Sequence, residues 1–412
     1  MITRLFNFFL IAVCLSACVN KTEHVSQWRG ENRDGIYNET GLLKAWPENG
    51  PELLWSFEGL GAGHGAVSFS NNKIFVLGMP DTTGVLFAFS FNGDLLWKKE
   101  YGTEWYTNFN GSRSTPTVVG DLIYFQSGQG VVYCYHAETG DKVWSVEILK
   151  DFQAKNIVWG MTESLLVDGE QVFCTPGGTD HNVVSLNRFT GETIWSGKAM
   201  GEPSAYCSPL LIKHDGTRLF VTMTIGSIIA LDADNGEMYW SIPQNQSHKI
   251  HANTPVYWNG HIICSSDYGQ TDNGLVSILL SNKGKSASVA WRNQKFTNLM
   301  GGIVLINGII VGSEYRKKGW SVLSAETGEL LHKTEDMGNG AVVWADELYY
   351  CYTEEGTISL VDAGVNYFNV ISTFTVPLGT DQHWAHPVIY NKKLFVRHGN
   401  ALMVYDIEDK EA

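Results

Sequence analysis

Charge is scarce in this chain of 412 residues: Asp, Glu, Lys and Arg make up only 17%, and 43 acidic against 29 basic side chains leave a formal net charge of -14. A surface that tracks phosphates needs a basic stripe, so nucleic acid is not an expected partner. The acidic residues are spread out and form no block, as in a soluble, self-repelling surface. Cysteine is equally sparse. The seven cysteines are nowhere adjacent, and they form no CxxC pair, no CxxCH haem site and no Cys/His cluster with zinc spacing. A disulfide framework and a structural metal are therefore not expected. The chain also lacks a GxSxG elbow, a phosphate loop and an HExxH helix. Asp232, Asp234 and Gly236 imitate the start of a calcium loop, but the distal glutamate is missing. The pairs His248/His251 and His383/His386 have no carboxylate placed beside them. No metal site and no catalytic constellation can be named from these residues. Beyond the first 18 residues, no stretch approaches the roughly 18 apolar residues of a membrane-spanning helix.

What is present begins with that N-terminal segment. Arg4 precedes the apolar run LFNFFLIAVCL, and Leu15, Ser16, Ala17 and Cys18 follow as a small-residue cleavage site that ends on cysteine. This resembles a bacterial lipobox, which implies a signal peptide over 1–17, acylation of the Cys18 thiol and attachment to a membrane without crossing it. Val19 is not the acidic residue that in some bacteria retains lipoproteins at the inner membrane, which points to the outer membrane. Residues 18–50 read as anchor and linker, long enough for either face of the folded part to meet a partner.

Hydrophobic residues at 44% and aromatics at 12% suit a large core, and the mature chain is repetitive. The segment 114–147 reads as four short strands separated by polar or glycine-containing turns. Its third turn, AETG, precedes a strand that carries Trp144. RFTG before Trp195, ADNG before Trp240 and SNKG before Trp291 repeat the device, and AETG returns before His332. Glycine suits a tight turn that needs positive φ, and the tryptophan is expected to wedge between neighbouring units. Trp97, Trp144, Trp195, Trp240 and Trp291 recur at the period of a four-stranded propeller blade. The last unit lacks its fourth strand, whereas residues 51–59 carry Trp55 with no unit before them. Pairing the two ends closes a ring. The expected fold is all-β, an eight-bladed β-propeller of four-stranded antiparallel blades over 51–410.

These repeats, together with the lead WRGENRDGIYNETGLLKAWPENGPELLW, resemble the pyrroloquinoline-quinone-like propeller family over roughly residues 27–408. The resemblance implies one of several roles, because the family holds quinone-dependent alcohol dehydrogenases, a lipoprotein subunit of the outer-membrane-protein assembly machine, and propellers without assigned chemistry. Its dehydrogenases grip their quinone with a vicinal cysteine pair, a tryptophan platform and calcium, and no two cysteines are adjacent here. A binding or scaffold module of the envelope, in assembly or polysaccharide utilisation, is the expected function. Its partner would be a protein or a glycan on one propeller face. The alternatives are a pyrroloquinoline-quinone-binding oxidoreductase of alcohol or sugar hydroxyls, or a carbohydrate-active enzyme.

A propeller binds at the end of its channel, where the loops before the innermost strands converge. Pro116, Pro209, Pro255 and Pro387 mark the starts of those strands, and the position three before each varies around the ring. The candidate funnel comprises His64, Arg113, Trp159, Tyr206, His251, Asn253, Asn339, Trp384 and His386. Planar faces from the tryptophans and tyrosine would stack on a ring, Arg113 would pair with an anionic group, and the imidazoles would move protons near neutral pH.

Overall fold

In the computed structural model, the described residues are 25–411, apart from 71, 246–247, 267–273 and 316–317. They form eight sheets arranged as the blades of a propeller. The helical segments among them are one turn at Ile148–Asp151 and a 3-10 turn at Asn282–Gly284. Blade 1 consists of Ser68–Ser70, Lys73–Gly78, Thr83–Ser90 and Leu95–Thr103, paired in chain order. Blades 2 to 7 follow, each also antiparallel among its own four strands. Blade 8 is the composite. Glu52–Phe57 pairs antiparallel with Ala401–Asp406, from Glu52 opposite Asp406 to Phe57 opposite Leu402, as the unmatched ends of the sequence imply.

The strand patterns follow from position in the blade. The middle strands lie between two neighbouring blades, so both of their faces are covered, and all five residues of Leu122–Gln126 are buried. The outer strands meet solvent and alternate: in Lys142–Val146 only Trp144 is buried.

The repeated turn and tryptophan form one latch. Each indole Nε1 donates to a turn carbonyl in the next blade: Trp97 to Glu138 at 3.0 Å, Trp144 to Arg188 at 2.9 Å, Trp195 to Ala233 at 3.1 Å, Trp240 to Gly284 at 3.0 Å and Trp291 to Ala325 at 3.2 Å. Trp55 donates likewise to Phe91 at 2.9 Å, which latches blade 8 to blade 1. The turn glycine is required twice over. Gly236 sits at φ +77°, and a Cβ there would fall 2.4 Å from the Trp195 ring.

The ring has two faces. On the upper face the chain passes from the outer strand of one blade to the inner strand of the next. The lower face carries the turns between the first and second strands of each blade and, in blades 1 to 7, between the third and fourth. Residues 25–50, part of the stretch read as linker, are fixed to this lower side. Val25–Ser26 adds a strand to Thr117–Val119, and Ile36–Tyr37 adds one in parallel to Gly340–Ala345. Tyr37, Leu42 and Trp46 are buried, and the Trp46 indole donates to the Ile358 carbonyl. The same segment closes the channel from below. The Arg29 guanidinium is buried and donates to the carbonyls of Ile303 at 2.7 Å and Val342 at 3.2 Å. Arg33 donates to the carbonyls of Ser164 and Leu165. Beside this plug, the lower mouth keeps an open cleft of about 1020 Å³.

Candidate functional site

The starts of the inner strands form the channel collar. The side chains before Pro116, before Pro209 and before Leu165 at the equivalent place bridge to the neighbouring blade. Thr115 Oγ1 accepts from the Ala66 amide at 2.9 Å, Ser164 Oγ from Thr115 at 2.9 Å, and Ser208 Oγ from Ser164 at 3.0 Å. His386 occupies the equivalent place in blade 8. Its Nδ1 accepts from Arg29 at 2.8 Å, so its Nε2 carries the proton and donates to the Met300 carbonyl at 3.0 Å. Burial, reinforced by the Arg29 charge, pushes its pKa down to about 3. This histidine locks the plug and does not reach the upper mouth. Asn253 is likewise a collar residue: its amide donates to the Ser265 and Asn298 carbonyls and accepts from the Gly302 amide. His251 is fully buried, and burial lowers its pKa to about 4. Of the nine sequence candidates, these three lie inside the wall.

The other six lie on the upper face. His64 packs at a tilt against Trp384 with ring centroids 5.0 Å apart, and Trp384 lies 5.2 Å from Phe109. Burial, then the charges of Arg113 and Arg397, lower the His64 pKa to about 3, so this imidazole stays neutral and is not a proton carrier at physiological pH. Arg113 holds its own loop by donating through Nη2 to the Asn108 and Phe109 carbonyls. Trp159 and Tyr206 pair with centroids 5.9 Å apart, and the Tyr206 hydroxyl accepts from the Trp159 amide at 3.3 Å. Asn339 and Trp384 share a cleft with Met300, Tyr315, Glu354 and His383. That cleft has about 10 Å³ of free space, room for about one water molecule.

The neighbouring loops contribute residues that were not among the candidates. Loop 104–116 presents Tyr106 and Phe109, 53% and 49% exposed, and loop 147–165 presents Val158, 70% exposed. Trp105 joins the two loops, since its ring packs against Gly160 and its Nε1 donates to the Asn108 carbonyl. Glu104 anchors the first loop from below. Its carboxylate accepts from the Tyr101 hydroxyl at 2.7 Å and from the amides of Trp105 and Gly128. Burial outweighs those donors and raises its pKa to about 7. The result is a crescent of aromatic and apolar side chains from Trp384 through Phe109 and Tyr106 to Val158, Trp159 and Tyr206. The signal for it in the sequence was the aromatic run WYTNF inside the connection between blades 1 and 2.

A sequence profile of the family described as outer membrane protein assembly factor BamB, a pyrroloquinoline-quinone-type repeat, matches residues 82–345, more than half of the chain. The chain belongs to this family. It is 22% identical over 330 residues to the outer membrane protein assembly factor BamB of Yersinia pestis, covering 74% of this chain and 76% of that protein. It is 24% identical over 159 residues to the quinoprotein alcohol dehydrogenase PedH of Pseudomonas putida, covering 37% of this chain. The chain spans only 26% of the length of that dehydrogenase. Among solved structures, BamB from Moraxella catarrhalis superposes with a TM-score of 0.60 at 13% identity, over 86% of this chain and 99% of that one. The quinohemoprotein alcohol dehydrogenase of Comamonas testosteroni superposes with a TM-score of 0.67 at 11% identity, over 94% and 81%. Both likenesses concern the propeller fold.

A quinone with a calcium partner does not fit the residues present. Cys134, Cys174, Cys207, Cys264 and Cys351 are free and buried, and no two of them are neighbours in sequence. Among the described residues, no three His, Cys, Asp or Glu side chains are grouped to hold a metal ion. The cleft beside Trp384, with about 10 Å³ of free space, is smaller than a tricyclic ring.

Proposed function

We infer that this chain is a noncatalytic scaffold of the cell envelope, lipid-anchored through Cys18, that holds a protein partner of outer-membrane protein assembly on its upper face. Cys18 lies outside the described residues. The carrying observation is the shape of the crescent: Tyr106, Phe109 and Val158 stand out from the face. Small-molecule sites are concave and enclose their ligand, whereas protein interfaces are centred on protruding aromatic anchors. The outer membrane protein assembly factors among the relatives support this reading of the partner. A glycan on the same stacking surfaces is the competing occupant.

The test is co-purification of the tagged, membrane-extracted protein with the other components of the organism's assembly machine. Phe109→Ala combined with Val158→Asp is expected to reduce recovery at least tenfold and to leave the melting temperature within about 2 °C, since both side chains are largely in solvent. Undiminished recovery removes the crescent from the account. A soluble glycan that displaces the partner would reassign the face to sugar binding.

A further inference from the structure

We propose that the face carrying residues 25–50 is held toward the lipid surface and that the aromatic crescent is presented away from it, at a height set by the thickness of the propeller. The proposal rests on the reading of Cys18 as the lipidated residue. Its new content comes from where the chain becomes fixed. The stretch after Cys18 is no long linker, because Val25 and Ser26 are already paired to Val119 and Val118 at the lower end of the innermost strand of blade 2. Trp28, Arg29 and Arg33 then enter the channel, with the Trp28 indole donating to Thr254 Oγ1 at 2.9 Å. From Cys18 to Val25 the chain has seven steps. Fully extended, this leash reaches about 25 Å.

That length decides between orientations. To turn the upper face toward the lipid, the leash must first run outward past the three further strands of a blade, about 14 Å at 4.8 Å per strand. It must then climb the disc. Thr83–Ser90, with eight residues, spans about 26 Å. The sum of about 40 Å exceeds the leash, whereas a downward-facing lower side needs none of that path. Charge leaves the tether in control, because Lys73, Lys99 and Lys44 pair with Glu138, Asp141 and Glu347 on the lower side and offset their repulsion from an anionic bilayer. The crescent therefore stands about 25 to 50 Å above the lipid surface, and the partner fits that height: a domain projecting from the membrane into the aqueous space.

The experiment uses the full lipidated protein in vesicles of phosphatidylethanolamine and phosphatidylglycerol that carry an acceptor-labelled lipid. A donor dye is placed through Glu170→Cys on the lower face or Val158→Cys on the upper. The five cysteines within the described propeller are buried and do not compete for label in the folded state. Energy transfer is expected to be at least twofold greater from position 170 than from position 158. Inserting thirty Gly/Ser residues between positions 24 and 25 should erase the difference. Equal or greater transfer from position 158 in the unlengthened protein overturns the proposed orientation. Cys18→Ser separates the two ideas: loss of vesicle attachment supports the anchor, and retained attachment refutes the anchor and the orientation built on it.

Discussion

Replacing Arg29 by alanine should loosen the lower closure of the channel and destabilise the ring by about 3 kcal/mol. The guanidinium donates to the Ile303, Val342 and Asp34 carbonyls and to His386 Nδ1. Three of those acceptors are buried, and each left unpaired costs roughly 1–3 kcal/mol. Against this stands the desolvation that lowers the Arg29 pKa from 12.5 to about 10, equivalent to about 3 kcal/mol of burial cost that the variant no longer bears. Taking about 2 kcal/mol per acceptor leaves a net loss of about 3 kcal/mol. For a domain of this size that corresponds to a fall in melting temperature of about 3–5 °C. Limited proteolysis should then cut within residues 25–50 before it cuts the blades, because these residues would lose the contacts that bind them to blades 6, 7 and 8. A melting temperature within 1 °C of the parent, with 25–50 still protected, would refute the claim that Arg29 fastens this segment.

Gly236→Ala should cost at least 2 kcal/mol in urea unfolding, since it adds a Cβ 2.4 Å from the Trp195 ring to the strain of φ +77°. Gly169→Ala, at φ +57° with nothing within 4 Å, should cost only about 1 kcal/mol and isolates the packing part. Glu163, raised by burial to about 8, keeps its proton in the folded protein after the unfolded chain has released it. Its stabilising contribution is therefore complete at low pH and is lost as pH rises from about 4.5 to about 8. Glu104, raised to about 7, acts in the same sense, whereas His64, His251, His383 and His386, lowered by burial, act in the opposite sense as the unfolded histidines lose their protons around pH 6.5. Between pH 6.5 and 8 the parent should therefore lose about 2 kcal/mol of stability relative to Glu163→Gln, a difference in which the other groups cancel. Deleting residues 51–59 removes the outer strand of blade 8 and the Trp55 latch, so cooperative unfolding should be lost and aggregation should appear on size-exclusion chromatography.

The blades were legible in the sequence because their latch is built from near neighbours. The turn glycine and the tryptophan recur at fixed offsets, and each contact joins adjacent blades, as Trp144 joins Arg188. Closure was legible for the same reason: a strand without a unit and a unit without a strand can be matched by counting. The plug was not. Arg29 and His386 are 357 residues apart, and nothing local marks an arginine as buried. His386 resembled a funnel residue because it precedes Pro387. The structure shows that this position belongs to the collar, where Thr115, Ser164 and Ser208 bridge blades, and a hydroxyl recurring at that place was the overlooked sign. The position three before the proline pointed to the upper face for His64, Arg113, Tyr206 and Trp384. It could not reveal which of the neighbouring side chains protrude, because protrusion is a property of packing and not of register.

The central claim is that the protruding upper crescent binds a protein partner. The most direct measurement is site-specific photo-crosslinking in living cells from position 158, with position 170 on the opposite face as the control. The expected result is a crosslink from position 158 to a component of the outer-membrane protein assembly machine, abolished by Phe109→Ala and absent from position 170. A crosslink to that component from position 170 alone, or no such crosslink from position 158, would contradict the account.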